Sequence, residues 1–237
     1  SPGPSMTRDS CRSSRTGFGF LHFPRVLLGL AQSHVPAMES FFTMRRRYNT
    51  LGTLGPDAYS LQIRKEVFVI RNLKGKTPKV HPTAFVSEAA YVLGDVEIGE
   101  NSSIWPGTVI RGDSGKITIG RNTNIQDNSV VHSDADSRIG DNSTIAHNVT
   151  WHGRMLGDNC LVGNGATVND GVEVGEFCII AAGAVVLEET KIPPRTIVTG
   201  IPAKPRGSIQ PRHETLIKET AERYVEWCKE YKDEGLE

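Results

Sequence analysis

Residues 156–198 read LGDNCLVGNGATVNDGVEVGEFCIIAAGAVVLEETKIPPRTIV, with an aliphatic at every sixth place: Leu156, Val162, Val168, Val174, Ile180, Val186, Ile192 and Val198. A period of six matches neither the 3.6-residue turn of a helix nor the two-residue alternation of a flat strand. It matches a parallel β-helix, in which each six-residue segment supplies one short strand and one turn. The same ladder opens upstream with Val80, Val86, Val92, Ile98, Ile104 and Ile110. Glycine often follows the aliphatic (Gly99, Gly120, Gly140, Gly157, Gly163, Gly175), and a small or thiol residue often stands four places on (Ser102, Thr108, Ser143, Cys160, Ala166, Cys178, Ala184). The expected fold is mainly β: a left-handed parallel β-helix, or hexapeptide-repeat solenoid, with a C-terminal α-helix packed along it.

Outward from the ladder, the chain divides in three. Residues 1–60 lack the rhythm and are rich in arginine (Arg8, Arg12, Arg15, Arg25, Arg45, Arg46, Arg47) but poor in acids (Asp9, Glu39, Asp57). They read as a poorly ordered N-terminal extension: an organelle-targeting segment, a stretch upstream of a later start at Met6, Met38 or Met44, or an arm around a neighbouring subunit. Residues 61–207 form the solenoid. Within them 65–72 (KEVFVIRN) read as a strand covering the open first coil, because a solenoid end is an exposed sheet edge. Residues 208–237 form an amphipathic helix, with Ile217, Ala221, Tyr224, Val225, Cys228 and Tyr231 at helical spacing.

Composition narrows the function. Twenty-seven basic and 27 acidic residues cancel, which gives no basis for a nucleic-acid or anionic-membrane partner, and no apolar run reaches the length of a membrane span. The four cysteines (Cys11, Cys160, Cys178, Cys228) have no CxxC spacing. Cys160 and Cys178 stand at buried repeat positions and read as reduced core residues of a reducing compartment. The expected location is the cytoplasm, or the mitochondrial matrix if residues 1–60 are a targeting segment.

The ladder slips three times: nine residues from Ile110 to Ile119, eight from Val131 to Ile139 and five from Trp151 to Leu156. Insertions in a solenoid are expected to form surface loops, where function collects. Three six-residue sides make one coil, so Val131 and Trp151 begin the same side of adjacent coils. His132 and His152 should then stack about one strand spacing, ~4.8 Å, apart. His147 follows Ile145 and lies on another face. It can join the pair only from a neighbouring subunit, which predicts a homotrimer with three metal sites, each built from His132 and His152 of one chain and His147 of the next. Three histidines suit a catalytic Zn2+ with an open position, or Fe2+ or Co2+. His22, His34, His81 and His213 show no such relation.

Over residues 78–207 the chain resembles the γ-class carbonic anhydrase family. The resemblance rests on Arg111-Gly112-Asp113, Asn124-Ile125-Gln126-Asp127, Val131-His132, Ala146-His147, His152-Gly153 and Gly200-Ile201-Pro202-Ala203-Lys204, in that order. It implies an enzyme: reversible hydration of carbon dioxide to bicarbonate by a metal-bound hydroxide at a trimer interface, with His132, His147 and His152 as ligands. It further implies that Gln126 hydrogen-bonds the hydroxide with Asn124 close by, and that Arg111 and Asp113 form a salt bridge across the subunit contact. The chain departs from the long-loop members after the first histidine. The loop is only Ser133–Ser137, Ala135 stands where a proton-shuttling glutamate is expected, and a second acidic position is Ser114. Asp134 or Asp136 is the available substitute, with Asp134 taken as the candidate. The rival readings are a hexapeptide-repeat acyl-CoA transferase or thioesterase, and a non-catalytic subunit of a larger respiratory complex.

Overall fold

The computed structural model describes residues 69–237. The extension read from residues 1–60, with Cys11, His22 and His34, lies outside the described residues, as do the first residues of the expected capping strand. Its remainder, Ile70–Arg71, pairs in parallel with Val92 and Leu93 at the first coil.

The aliphatic ladder winds into a parallel β-solenoid of about seven turns, and every ladder residue falls on one of three faces. On the first face Val92, Ile110, Val131, Trp151, Val168 and Val186 are consecutive partners in register. The second carries Val80, Ile98, Ile119, Ile139, Leu156, Val174 and Ile192. The third carries Val86, Ile104, Ile125, Ile145, Val162, Ile180 and Val198, and it closes on the antiparallel strand Lys204–Ser208. Apart from the partly buried Val80, these aliphatics all point into one continuous core.

The residue before each ladder aliphatic points outward, and here the faces differ. On the second face these residues are Lys79, Glu97, Thr118, Arg138, Met155, Glu173 and Lys191. Five of them are charged, and four of those five are engaged in ion pairs: Glu97 with Lys116, Arg138 with Asp158, and Glu173 with both Arg154 and Lys191. On the first face the row is Tyr91, Val109, Val130, Thr150, Thr167 and Val185, with no charge at all.

The corners explain the small residues four places after the aliphatic. Ser102, Thr123, Ser143, Cys160 and Cys178 stack on one another. Each donates to a carbonyl of the next coil, as Ser102 Oγ does to Gly120 O at 2.6 Å and Cys160 Sγ to Gly175 O at 3.1 Å. Each of the first four accepts the next coil's backbone N–H in return. A thiol replaces a hydroxyl here with little change, which accounts for two buried free cysteines. The hydrogen bond with Cys178, reinforced by burial, pushes the Cys160 thiol well up. At the neighbouring turn Asn101, Asn122, Asn142 and Asn159 take φ of 53°, 51°, 52° and 55°, a left-handed conformation that asparagine tolerates better than most side chains.

The slips resolve differently from one another. The nine-residue step does not loop out, contrary to expectation: Val109–Ile119 is one unbroken strand that turns a corner and pairs on two faces. Its register against Tyr91–Ile98 shifts between Gly94/Gly112 and Val96/Ile117, so the extra residues bulge inside a continuing strand. The eight-residue step does form an exposed loop at Asp134–Asp136. In the five-residue step, Gly153 leaves room for the Trp151 ring, since a Cβ there would lie 2.8 Å from it.

The C-terminal helix, Pro211–Asp233, starts with Gln210 as N-cap and Pro at the first helical position. Ile217, Ala221, Tyr224 and Cys228 are its buried stripe. Its 23 residues span about 34 Å, enough to run the length of the third face. Arg195 holds Glu214 at the last coil at 2.5 Å, while Lys232 Nζ donates to Ala84 O at the first coil at 3.0 Å. Phe85 and Trp105 pack against Tyr224 and Tyr231 beneath the helix.

Candidate metal centre

His132 closes the strand Val130–His132, and His152 immediately follows the strand Thr150–Trp151. Because Val131 pairs with Trp151, the two imidazoles stand one rung apart with ring centroids 4.8 Å apart. They point edge to edge, His132 Nδ1 lying 2.7 Å from His152 Nε2. The other nitrogen of each ring meets a carboxylate. His132 Nε2 bonds Asp113 Oδ1 at 2.9 Å, and His152 Nδ1 bonds Asp170 Oδ1. Asp113 comes from the bulge in Val109–Ile119 and also accepts from Arg111 Nη1. The result is one line of contacts: Arg111, Asp113, His132, His152, Asp170.

Proton placement along that line has a consequence. Burial opposes ionisation of Asp113, but hydrogen bonds from Arg111 and His132 outweigh it and hold the carboxyl below its usual range. An ionised carboxylate only accepts, so against ionised partners His132 Nε2 and His152 Nδ1 each carry the hydrogen. In neutral rings that leaves His132 Nδ1 and His152 Nε2 with lone pairs facing each other at 2.7 Å. The same two nitrogens can share a proton or hold a metal between them. Tetrahedral Zn2+ with bonds of 2.0–2.1 Å separates two ligand nitrogens by about 3.3 Å, so a small opening of the pair admits it. The donor set therefore fits a metal. Asp134 completes a group with the two histidines, their ligand atoms all within 4.8 Å of one another.

The other expected residues sit elsewhere. Asn124 and Gln126 lie on or beside the strand Asn124–Ile125, and His147 follows the adjacent strand Thr144–Ile145, both on the third face. His147 Nδ1 contacts Asp127 Oδ2 at 3.0 Å. Gln126 Nε2 donates to Asn124 Oδ1 at 2.9 Å, and Asn124 Nδ2 donates to Thr144 Oγ1 at 2.9 Å. Both amides are buried, so this chain fixes their orientation completely. Within one chain, then, His132, His152 and Asp134 come together, whereas His147, Gln126 and Asn124 lie on another sheet. Arg111 and Asp113 pair with each other inside the chain. Asp136 is engaged in the loop, accepting from the Lys116 backbone N–H at 2.8 Å.

The bacterial transferase hexapeptide model, with six repeats, matches residues 77–112 and 155–188. A protein named carbonic anhydrase from Geobacillus kaustophilus is 39% identical over 133 residues, covering 55% of this chain and 73% of that one. The chain is a γ-carbonic-anhydrase-like hexapeptide-repeat protein. The mitochondrial γ carbonic anhydrase 2 of Arabidopsis thaliana is 39% identical over 164 residues, 66% of this chain. The chain spans 59% of that relative's length. The crystal structure of a hexapeptide transferase family protein from Anaplasma phagocytophilum superposes with a TM-score of 0.67 at 38% identity, over 69% of this chain and 98% of that one.

In this γ-carbonic-anhydrase-like chain the residue that sequence reading missed is Asp170. A signal for it existed. Each histidine has a carboxylate one coil away: Asp113 is 19 residues before His132, Asp127 is 20 before His147, and Asp170 is 18 after His152. The ladder that placed the histidines could have placed these acids too.

Proposed function

We propose that this protein catalyses reversible hydration of carbon dioxide to bicarbonate at a metal centre shared between subunits of a homotrimer. The observation that carries the reading is the pair of opposed nitrogens on His132 and His152, each ring held from behind by a carboxylate. Zn2+, the metal of first choice, would supply Lewis acidity that brings the pKa of a bound water to about 7, as in carbonic anhydrases generally. Two supports favour completion by a neighbouring chain. His147 projects from another face with its Nδ1 already engaged, so Nε2 is free to reach outward. The first face, which bears His132 and His152, presents an uncharged row suited to burial, unlike the ion-paired second face.

The chain's own groups then divide the work. His132 and His152 of one subunit and His147 of the next would hold the ion. Gln126, whose Nε2 donates to Asn124 Oδ1, would orient the substrate water towards carbon dioxide. Arg111 anchors Asp113 behind His132. Asp134, exposed beside the two histidines, is the group placed to pass a proton to buffer. With one short loop for that step, turnover should be slow and should rise with small buffers such as imidazole.

A second reading has a specific observation behind it. His132, His152 and Asp134 could hold an ion within a single chain, and two histidines with one carboxylate suit Fe2+. One comparison separates the two. In the shared site, His147→Ala loses zinc and carbon dioxide hydration while Asp134→Ala retains zinc and loses only the buffer-dependent step. In the single-chain site the metal contents reverse. Measurements are metal content, stopped-flow hydration across a buffer series, and mass by light scattering. A monomer that hydrates carbon dioxide at the wild-type rate would sink the shared site. The mitochondrial name of the Arabidopsis relative favours the mitochondrion over the cytoplasm, which an import assay with residues 1–60 fused to a reporter would test.

A further inference from the structure

Asp113 backs His132 and Asp134 stands beside the histidine pair, but two further carboxylates are turned onto the histidines and have no role so far. Asp170 contacts His152 Nδ1, and Asp127 Oδ2 contacts His147 Nδ1 at 3.0 Å. We propose that Asp127 and Asp170 are positioning residues that fix the ring orientation and the hydrogen-bearing nitrogen of His147 and His152, so that each presents Nε2 as a metal donor. This rests on the metal-centre reading above.

The geometry turns each acid onto its histidine. Among the described residues neither Asp127 nor Asp170 pairs with a lysine or arginine, unlike Asp95, Asp113, Asp141 and Asp158. Nor does either turn need its carboxylate. The backbone carbonyls of Asp127 and Asp170 accept from Asn148 N at 3.0 Å and Glu189 N at 2.8 Å, so the coil-to-coil bonds are made by main chain. The side chains are left to the imidazoles. The two contacts are also equivalent in chemistry though opposite in direction. Asp127 lies in the coil before its histidine, and Asp170 in the coil after.

A neutral imidazole has two tautomers, and only one offers a lone pair at Nε2. A carboxylate at Nδ1 selects that tautomer, raises the basicity of Nε2 and stops ring rotation. For His147 the effect is larger in consequence. Its side chain is 42% exposed within one chain, so without Asp127 the ring would rotate freely before a neighbour arrived. Asp127 holds one chain's contribution ready for another chain's pair.

The test uses the full chain with zinc and with cobalt(II). Asp170→Ala and Asp127→Ala are expected to weaken zinc affinity by roughly 10–100-fold, read by competition with a chromophoric chelator. The visible bands of the cobalt protein should change at matched occupancy. Asp170→Asn and Asp127→Asn, whose amide oxygen still accepts from Nδ1–H, should recover part of the affinity. Melting temperatures should stay close to wild type, because both acids are exposed or half-exposed. Zinc affinity and cobalt spectra equal to wild type in the alanine variants would overturn the positioning roles alone. Zinc binding with this pattern but no carbon dioxide hydration by the wild type would overturn the catalytic reading alone.

Discussion

His132→Ala protein should retain about a tenth or less of the wild-type zinc and hydrate carbon dioxide at least ~100-fold more slowly, since loss of even an outer partner of a ligand costs 10–100-fold. His132 is the hub of the line of contacts. Its Nδ1 faces His152, and its Nε2 faces Asp113, which in turn holds Arg111. Removing the ring deletes one donor and leaves the half-buried Asp113 with Arg111 alone. The fold should survive, because Val130 and Val131 make the strand's pairings and Val131 supplies its core side chain. The readouts are metal content per chain, stopped-flow hydration and a thermal melt. Wild-type zinc content in a folded His132→Ala protein would contradict the assignment of the site.

Trp151→Ala should cost about 3–5 kcal/mol of stability, the range for emptying a buried aromatic site. Trp151 is fully buried on the core cluster between Val131 and Val168. Its Nε1–H donates to Ser137 Oγ at 3.1 Å, and that hydroxyl donates to Gly153 O at 2.6 Å. Alanine would open a cavity in the middle of the stack and loosen the segment that carries His152. A solenoid's stability is close to a sum over neighbouring turns, so one weakened rung should also broaden the urea transition followed by circular dichroism. A loss under about 1 kcal/mol with an unchanged transition would show that the neighbouring aliphatics close over the gap. Zinc affinity should fall in the same variant, because Gly153, next to His152, loses the Trp151 ring it packs against.

Much of this was open to reading in the sequence. The six-residue period fixes which rung and which face each ladder residue occupies, so the stack of Val131 on Trp151, and with it His132 on His152, follows from residue numbers. The separation of His147 from that pair follows in the same way. The helix was legible from its stripe, although Tyr231, expected in the stripe, is 37% exposed, and four residues rather than six are fully buried. The step from Ile110 to Ile119 was not legible. Extra residues in a repeat signal an insertion, but pairing with Leu93 and Gly94 keeps this one in a strand. That strand is what brings Asp113 to His132.

By itself the sequence determined the solenoid, its three faces and the address of each histidine, because a strict period converts position in the chain into position in space. Only the tertiary structure decided which acids turn toward the rings, that Asp170 reaches back one coil to His152, and that Asp136 is taken by the Lys116 backbone while Asp134 is left beside the histidines. The physical reason is one of scale. Backbone periodicity sets the rungs, about 4.8 Å apart, whereas a hydrogen bond is decided within a few tenths of an ångström by side-chain torsions.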